Sequence, residues 1–358
     1  MTSMHAAPPL LDVSRVSTSF STSRGELRAV DGASFALEAG ETLGIVGESG
    51  SGKSVLVRTI MQLLGRNATV APESSILFEG RDLLQLDPST ATSFWGNEMA
   101  MVFQDPLTSL NPVRRIGNQM AEPLRQHLGL SRADARARSL ELLAMVGITD
   151  PERRIDAYPH ELSGGMRQRV TIAIAISCEP KLLIADEPTT ALDVTVQKQI
   201  LDLLATLQND LGMGMILITH DLGVVASYAD RIAVMYAGRI VEQATAVEVF
   251  DSTTHPYTEA LLDSIPRMGG PAHAPLHAIS GRPPDMTDPP TGCSFNPRCR
   301  LAQPDCLETD PELVPIEGEH VHACLHPLGT PAGDRARAAN RESGVTAAGL
   351  ALDVVESA

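Results

Sequence analysis

The stretch GESGSGKS, from Gly47 to Ser54, decides the fold of this chain. It matches the phosphate-binding loop pattern G-x-x-x-x-G-K-[ST] without a gap. An apolar strand, ETLGIVGE (41–48), precedes it, and VLVRTIMQLL (55–64) continues as a helix. Glycines let a backbone wrap a polyphosphate with its N–H groups pointing inward, and the helix start adds its positive end. The order strand, loop, helix therefore predicts a nucleotide site rather than a chance glycine-rich run.

Each residue of this loop is assigned to the nucleotide. We expect Lys53 to reach the β- and γ-phosphates of ATP and the hydroxyl of Ser54 to bind Mg²⁺. The remaining loop residues surround the phosphates with their backbone; they are Gly47, Glu48, Ser49, Gly50, Ser51 and Gly52.

A pair of acids ends a second apolar strand, KLLIADE (181–187). At such a place Asp186 can hold Mg²⁺, and Glu187 can orient and deprotonate the attacking water. A third strand, GMILITH (214–220), follows. Downstream of a phosphate loop, the two acids predict the hydrolytic half of the site.

A second anion-binding turn lies in LSGGMRQR (162–169), where Ser163, Gly164 and Gly165 open an apolar helix. One nucleotide needs only one phosphate loop, so this turn is predicted to serve a nucleotide on another subunit. The simpler alternative is an ordinary serine N-cap followed by a flexible turn.

The remaining pattern predicts an α/β fold with a largely parallel sheet up to about residue 250. A helical insertion is expected at about 106–161, with a capping box at Ser131 and Asp134. RIAVMYAGRIVEQ (231–243) is predicted to be a hairpin that turns at Ala237–Gly238. Residues 251–328 are predicted to form a small appended domain, and 329–358 a disordered tail or a single mobile helix.

Composition excludes some classes of function. The formal net charge of −16 argues against binding to nucleic acid or to an anionic bilayer. No apolar run approaches the roughly 20 residues of a membrane helix, and the N-terminus lacks the pattern of a signal peptide. We therefore expect a soluble, cytoplasmic protein with its five cysteines as thiols or metal ligands.

With these motifs in this order, residues 10–250 resemble an ABC-transporter nucleotide-binding subunit of the P-loop NTPase fold. The resemblance makes GESGSGKS the Walker A loop, LSGGM the signature and LLIADE the Walker B strand. It assigns Gln104 to the Q-loop that senses Mg²⁺ and γ-phosphate, Asp193 in TALD to the D-loop, and His220 to the switch histidine. Phe20 stands where the family usually stacks a Tyr on adenine, so the hydroxyl is lost.

The resemblance also implies an assembly. Two such subunits close head to tail, with ATP between Lys53 of one and Ser163 of the other. FQDPLTSLNPVRRIG (103–117) and HPYTEALLDSIP (255–266) resemble the dipeptide and oligopeptide permease branch, up to about residue 328. The implied partners are a second, homologous ATPase subunit, expected to be a paralogue, two transmembrane permease subunits and an extracytoplasmic binding protein, with this chain peripheral on the cytoplasmic membrane face.

Other functions stay open at this point. Related subunits of the branch serve nickel, glutathione or oligosaccharides. An ABC ATPase outside transport is disfavoured by the single motif set and the acidic balance. A regulatory subunit that senses iron or redox state through the cysteines would be compatible with transport.

Four cysteines, Cys293, Cys299, Cys306 and Cys324, are spaced x₅, x₆ and x₁₇, without a C-x₂-C pair. Their proline-rich surroundings have little core, so a metal would supply cohesion. Related peptide-permease subunits imply a [4Fe–4S] cluster here, while zinc and plain thiols remain alternatives. Three nearby histidines could compete as ligands: His320, His322 and His326. Cys178 is predicted to be a buried small apolar residue in the helix TIAIAISC.

Overall fold

The computed structural model describes residues 8–105, 109–190, 192–265 and 279–352. Parts of several sequence predictions lie outside these ranges: residues 106–108 of the helical insertion, Ala191 of the TALD segment, residues 266–278 of the appended domain and residues 353–358 of the tail. Among the described residues, no helix is both long enough and apolar enough to span a membrane.

The chain alternates strands and helices up to about residue 250, as the sequence predicts. The strands are β1 (Leu11–Thr22), β2 (Gly25–Leu37), β3 (Thr42–Val46), β4 (Ala68–Val70), β5 (Ser75–Phe78), β6 (Arg81–Asp82), β7 (Met99–Val102), β8 (Leu182–Asp186), β9 (Gly214–Thr219), β10 (Arg231–Tyr236), β11 (Arg239–Thr245), β12 (Val314–Glu317) and β13 (His320–His322). The helices are α1 (Lys53–Ile60), α2 (Pro88–Phe94), α3 (Ile116–His127), α4 (Arg132–Met145), α5 (Pro151–Arg154), α6 (Gly164–Ala175), α7 (Val194–Leu211), α8 (Leu222–Tyr228), α9 (Ala246–Asp251), α10 (Pro256–Asp263) and α11 (Pro331–Ser343).

These elements fall into two compact units. The first contains the described residues of Met1–Asp12, Ala36–Thr42 and Ile76–Ile218. The second contains Val13–Phe35, Leu43–Ser75 and the described residues of Thr219–Ala358. The phosphate loop lies in the second unit, and the acids that end β8 lie in the first.

In the first unit, β7, β8 and β9 run parallel. Met99 pairs with Leu182, and Leu182 pairs with Gly214. Every residue of β7 and β8 is buried, which explains why these strands are continuous apolar runs rather than alternating ones. The strands predicted from KLLIADE and GMILITH are thus confirmed.

Helices α3 to α5 occupy the segment for which a helical insertion is predicted. The Ser131 hydroxyl caps α4 by accepting the N–H of Asp134, as the capping box predicts. Helix α7 ends at Gly212, whose left-handed φ of 63° a glycine adopts without strain. Helix α6 ends at Ala175, so Cys178 lies beyond the helix in which it is predicted, although its side chain is buried.

In the second unit, β10 pairs parallel with β3 and antiparallel with β11. The β10–β11 hairpin turns at Ala237 and Gly238, both with positive φ, as predicted. Strand β13 extends this pairing from β11, and β12 pairs with β13. Strand β1 pairs antiparallel with β4.

The sequence predicts disorder or a single mobile helix after residue 329; the described part contains one helix, α11, and this helix is packed. Its Asn340 is 5% exposed. The Asn340 amide donates to the carbonyls of Arg300 and Ala302 and accepts from Gln303. Specific hydrogen bonds therefore order a segment whose composition is polar.

Candidate functional site

The phosphate loop begins where β3 ends and has the conformation that only glycine tolerates. Gly47 has a φ of 152°, and a Cβ there would lie 2.1 Å from the Met235 carbonyl oxygen. Gly52 has a φ of 104°, and its Cβ would lie 2.3 Å from the Ala29 carbonyl oxygen. No side chain caps α1 at Gly52. The loop thus leads directly into the N-terminal end of α1, and a helix start is a favourable place for an anion.

Lys53 is 4% exposed, and its ammonium group lies inside the loop. Lys53 Nζ donates to the carbonyl oxygens of Gly47 at 2.7 Å and Glu48 at 3.0 Å, and lies 3.4 Å from Ser51 Oγ. Ser54 follows in the first turn of α1. A buried cation surrounded by loop carbonyls and backbone turns is chemically suited to a polyphosphate.

In the first unit, the carboxyl ends of β7 and β8 bring the predicted acids together with Gln104. Asp186 ends β8 and is 1% exposed. The next residue, Glu187, accepts hydrogen bonds from Gln104 Nε2 at 2.8 Å and from Thr190 Oγ1 at 2.9 Å. Its φ of 46° is a strained left-handed conformation, which the N–H bond to the Ile218 carbonyl helps to hold. These hydrogen bonds thus hold the Glu187 carboxylate in one orientation.

Two helix starts of the first unit carry the other predicted residues. Ser163 caps α6 by accepting the Met166 N–H, and Asp193 caps α7 by accepting the Val196 N–H. A Cβ on Gly165 would lie 2.8 Å from Val196 Cγ1. Ser163 is therefore an N-cap, as in the simpler alternative, and Gly165 also permits close packing against Val196. Neither role excludes an anion at the turn.

His220 and Phe20 belong to the second unit. His220 follows β9 and is exposed, and the neighbouring Asp221 caps α8 by accepting the Gly223 N–H. Phe20 lies on β1 opposite Ala68 and is half-buried.

The four cysteines of the appended domain line one cavity. Cys299 and Cys306 are each 8% exposed, and Cys293 and Cys324 are half-buried. Burial raises the pKa of all four thiols, that of Cys293 to about 11 and that of Cys324 to about 12. The cavity is thus lined by four thiols, two buried and two half-buried, and thiols are the donors that iron–sulfur clusters and zinc use.

The three nearby histidines have different surroundings. His320 Nε2 lies 2.9 Å from the Glu242 carboxylate, and His322 Nδ1 lies 2.9 Å from Thr254 Oγ1. Only His326 of the three lines the cavity. His326 Nε2 lies 2.8 Å from an Asp305 carboxylate oxygen. The potential ligand atoms of Asp305, Cys306 and His326 lie within 4.8 Å of one another. His326 is thus the histidine that could compete for a metal.

Sequence reasoning missed two residues that hold the phosphate loop. Arg298 forms two hydrogen bonds to the Glu48 carboxylate, and the Tyr257 hydroxyl accepts the Glu48 N–H at 2.9 Å. Tyr257 and Arg298 lie in the appended domain, more than 200 residues from Glu48, as the separations of 209 and 250 residues show. No local pattern links such distant positions.

Two family models match the chain, an ABC transporter model at residues 30–190 and the model "Oligopeptide/dipeptide transporter, C-terminal region" at residues 241–306. The chain is 49% identical over 327 residues to a putative peptide import ATP-binding protein of Brucella melitensis, covering 88% of this chain and 97% of that protein. It is 50% identical over 324 residues to the dipeptide transport ATP-binding protein DppD of Haemophilus influenzae, covering 90% and 98%. A solved dimeric ATP-binding cassette bound to ADP and Pi superposes with a TM-score of 0.59 and 27% identity, covering 66% of this chain and 98% of that one.

Proposed function

Because this chain belongs to the family of ABC transporter ATP-binding proteins, together with relatives named for peptide import, we propose that it binds and hydrolyses ATP to energise uptake of dipeptides or oligopeptides. The ATPase part of the proposal rests mainly on the Lys53 ammonium group. This group is buried inside a loop that leads into α1 and has glycines at its positive-φ positions. The match of residues 241–306 to the transporter C-terminal region supports the peptide half.

Each predicted site residue has a role in this proposal. Lys53 and the loop N–H groups bind the β- and γ-phosphates, and the Ser54 hydroxyl, the Asp186 carboxylate and Gln104 are the oxygen donors that suit Mg²⁺. Glu187 accepts the proton of the attacking water, and its bonds to Gln104 and Thr190 hold the carboxylate in one direction. His220 contacts the γ-phosphate, and Phe20 stacks on adenine.

A second ATPase subunit completes the site. Ser163, Gly164, Gly165 and Asp193 serve the nucleotide held by the opposite subunit; what supports this is that Ser163 begins α6, because a helix N-terminus is a favourable place for an anion. Closure of the pair on ATP moves two membrane permease subunits, and hydrolysis reopens it. The chain is peripheral at the cytoplasmic membrane face, and an extracytoplasmic binding protein delivers the peptide.

The hydrolytic role is tested by Glu187→Gln in the assembled transporter. The amide cannot accept a proton, so we expect ATP turnover to fall by about 10²- to 10⁴-fold while ATP binding is retained. Glu152→Gln, on the exposed side of α5, is the matched control and keeps wild-type turnover. Undiminished turnover in Glu187→Gln would remove this residue from the role of base.

Peptide import is tested separately from hydrolysis. The transporter is reconstituted in vesicles with its binding protein, and accumulation of a labelled dipeptide and a labelled pentapeptide is measured with and without ATP. ATP-dependent accumulation that disappears in Glu187→Gln supports the proposal. ATP turnover stimulated by nickel, glutathione or an oligosaccharide, and by neither peptide, would overturn the peptide assignment and leave the ATPase in place.

We propose further that Cys293, Cys299, Cys306 and Cys324 hold a [4Fe–4S] cluster. The support is that all four line one cavity of the second unit. A bound cluster would link the loops that carry the four cysteines covalently, in addition to the packing of buried apolar side chains such as Phe295 and Leu301. The cysteines would lose their thiol protons on binding, and Asn296, whose amide donates to the Cys306 carbonyl, holds two of the loops together.

Metal content decides this point. Iron, sulfide and zinc are measured on anaerobically purified protein and on Cys293→Ser, with a visible spectrum. About four irons and four sulfides per chain, lost in the variant, are expected. One zinc per chain, without iron or sulfide, would instead indicate a single ion near Asp305, Cys306 and His326. Colourless, metal-free and folded protein would overturn the metal proposal and leave the ATPase intact.

A further inference from the structure

The appended domain holds the phosphate loop at one residue, Glu48. Arg298 Nη1 lies 2.5 Å from one Glu48 carboxylate oxygen and Nη2 lies 3.0 Å from the other. The Glu48 N–H donates to the Tyr257 hydroxyl at 2.9 Å. Both the side chain and the N–H of Glu48 are therefore bound by residues of the C-terminal region.

Glu48 is also central within the loop. Its carbonyl oxygen accepts from Lys53 Nζ at 3.0 Å and from the Ser51 N–H at 3.1 Å. A displacement of Glu48 would thus move an oxygen that positions the phosphate-binding ammonium. An unneutralised Glu48 carboxylate would also repel the phosphates of a bound nucleotide, and Arg298 supplies the compensating charge.

Arg298 is rigidly placed. Its side chain is 3% exposed. Nε donates to the Ser280 carbonyl at 2.9 Å, Nη1 lies 3.3 Å from the Tyr236 hydroxyl, and the guanidinium carbon lies 5.8 Å from the Tyr236 ring centre. Burial by itself lowers the pKa of Arg298, but the hydrogen bonds to Glu48 and Tyr236 outweigh it and raise that pKa. A buried bidentate pair of this kind fixes direction as well as charge.

The backbone that carries Arg298 also carries two of the cavity cysteines. Arg298 ends a 3₁₀ turn, Asn296–Arg298, and Cys299 is the next residue. The Asn296 N–H donates to the Cys293 carbonyl at 2.9 Å, and the Cys299 N–H donates to the Asn296 carbonyl at 3.3 Å. One short turn therefore connects the cavity lining to the Arg298–Glu48 pair.

We propose that Arg298 is a positioning residue that holds the phosphate loop in its ATP-binding shape and makes nucleotide affinity depend on the state of the four cysteines. This rests on the proposed ATPase function. Cys293 and Cys299 flank the turn Asn296–Arg298, so a change in their ligation would alter that turn, and the bidentate pair would transmit the change to Glu48 and Lys53.

The test compares kcat and KM for ATP in the assembled transporter. Arg298→Gln is expected to raise KM about tenfold through lost charge compensation and loop positioning, with kcat within about twofold of wild type. Arg298→Lys keeps the positive charge but loses the bidentate guanidinium, so its KM should lie between those of wild type and Arg298→Gln. Arg300→Gln, two residues away and exposed, is the matched control with unchanged KM.

A double variant separates positioning from general destabilisation. Glu48→Gln removes the repulsive charge, so Glu48→Gln with Arg298→Gln is expected to recover at least half of the lost affinity. A merely structural role would give the double variant the KM of Arg298→Gln or worse, and would overturn the proposal. Unchanged KM in Arg298→Gln would also overturn it, whereas absence of ATP turnover in wild type would instead remove the proposed function.

The proposed link between the cysteines and the phosphate loop is tested separately. Cys299→Ser is expected to raise KM in the wild-type background and to add nothing in the Arg298→Gln background, because both changes act through one pair. Direct titration of ATP in the Glu187→Gln background gives the same comparison without turnover. Additive effects of the two substitutions would show that the cavity and the loop are independent.

Discussion

Two regions of the second unit are stabilised in different ways. Strands β3 and β10 bury almost every residue, and their buried side chains are apolar apart from Thr42 and Tyr236. The appended domain has short strands and, beside apolar side chains such as Phe295 and Leu301, buries polar and thiol side chains, including those of Cys299, Asn296, Arg298, His320 and His322. The strands therefore depend on close packing, whereas the appended domain depends in addition on matched hydrogen-bond partners, because a buried donor or acceptor that loses its partner is costly.

The centre of the polar region is Glu242 on β11, which is 0% exposed. Its carboxylate accepts hydrogen bonds from the N–H and hydroxyl of Thr254, from the hydroxyl of Thr253 and from the N–H of His255, and it is bonded by His320 Nε2. We call these five residues the Glu242 network. The network joins β11, the segment before α10 and β13.

The largest effect is expected from Glu242→Ala. It leaves several buried donors without an acceptor, so local opening should become easier by about 3–5 kcal/mol. Hydrogen exchange at the amides of Ala323 and Leu328, which bond Val241 and Thr254, measures this opening. Glu319→Ala, an exposed acid beside Arg231, is the control and should change it by less than about 0.5 kcal/mol. Equal protection in both variants would mean that the network does not hold this region.

Acid should weaken the same network. Burial by itself raises the pKa of Glu242, but the hydrogen bonds, led by that from His320, outweigh it and lower the pKa to about 2. Because the folded-state pKa lies below its usual value of 4.5, the stabilisation is present above pH 4.5 and is lost as the pH falls toward 2, to a total of about 3 kcal/mol.

A histidine adds to this acid sensitivity at higher pH. Burial lowers the pKa of His255 from 6.5 to about 4, so the unfolded state binds more protons between these values and stability falls as the pH drops through them. Protection factors of Ala323 and Leu328 should therefore decrease from pH 6.5 downward. His255→Asn keeps an acceptor for the Tyr257 N–H and should reduce the decrease between pH 6.5 and 4, to which His322 also contributes because burial lowers its pKa. A decrease of the same size in this variant would assign it to another group.

A smaller effect is expected where α11 contacts the appended domain. Asn340→Ala removes two donated bonds and one accepted bond, which should cost about 1–3 kcal/mol. Faster hydrogen exchange within α11, with unchanged exchange at Ala323, is the expected result. Glu342→Ala, exposed on the same helix, is the control. Loss of protection at both places would show that α11 is part of the Glu242 network rather than a separate attachment.

The sequence predicts one of these regions far better than the other. Apolar runs such as LLIAD and the glycines of Gly47–Ser54 carry their structure locally, so the strands, the loop and the hairpin at Ala237 follow from pattern. The Arg298–Glu48 pair and the Glu242 network join residues far apart in the chain, and hydrogen bonds leave no periodicity. The packing of the polar helix α11 is missed for the same reason, because it depends on a few small or polar residues, Gly333, Ala336 and Asn340, that form no apolar stripe.

The smallest effect is expected from a substitution in the apolar strands. Ile232→Val removes one methylene from a fully buried side chain on β10, which should cost about 1 kcal/mol. Glu242→Gln changes as few atoms on the neighbouring strand, yet it replaces an acceptor oxygen by a donor that faces existing donors. We therefore expect the amide variant to cost more in hydrogen-exchange protection than the valine variant, at neutral pH and equal protein concentration. If Ile232→Val costs as much as Glu242→Gln, shape rather than partner matching limits both regions, and the distinction between them fails.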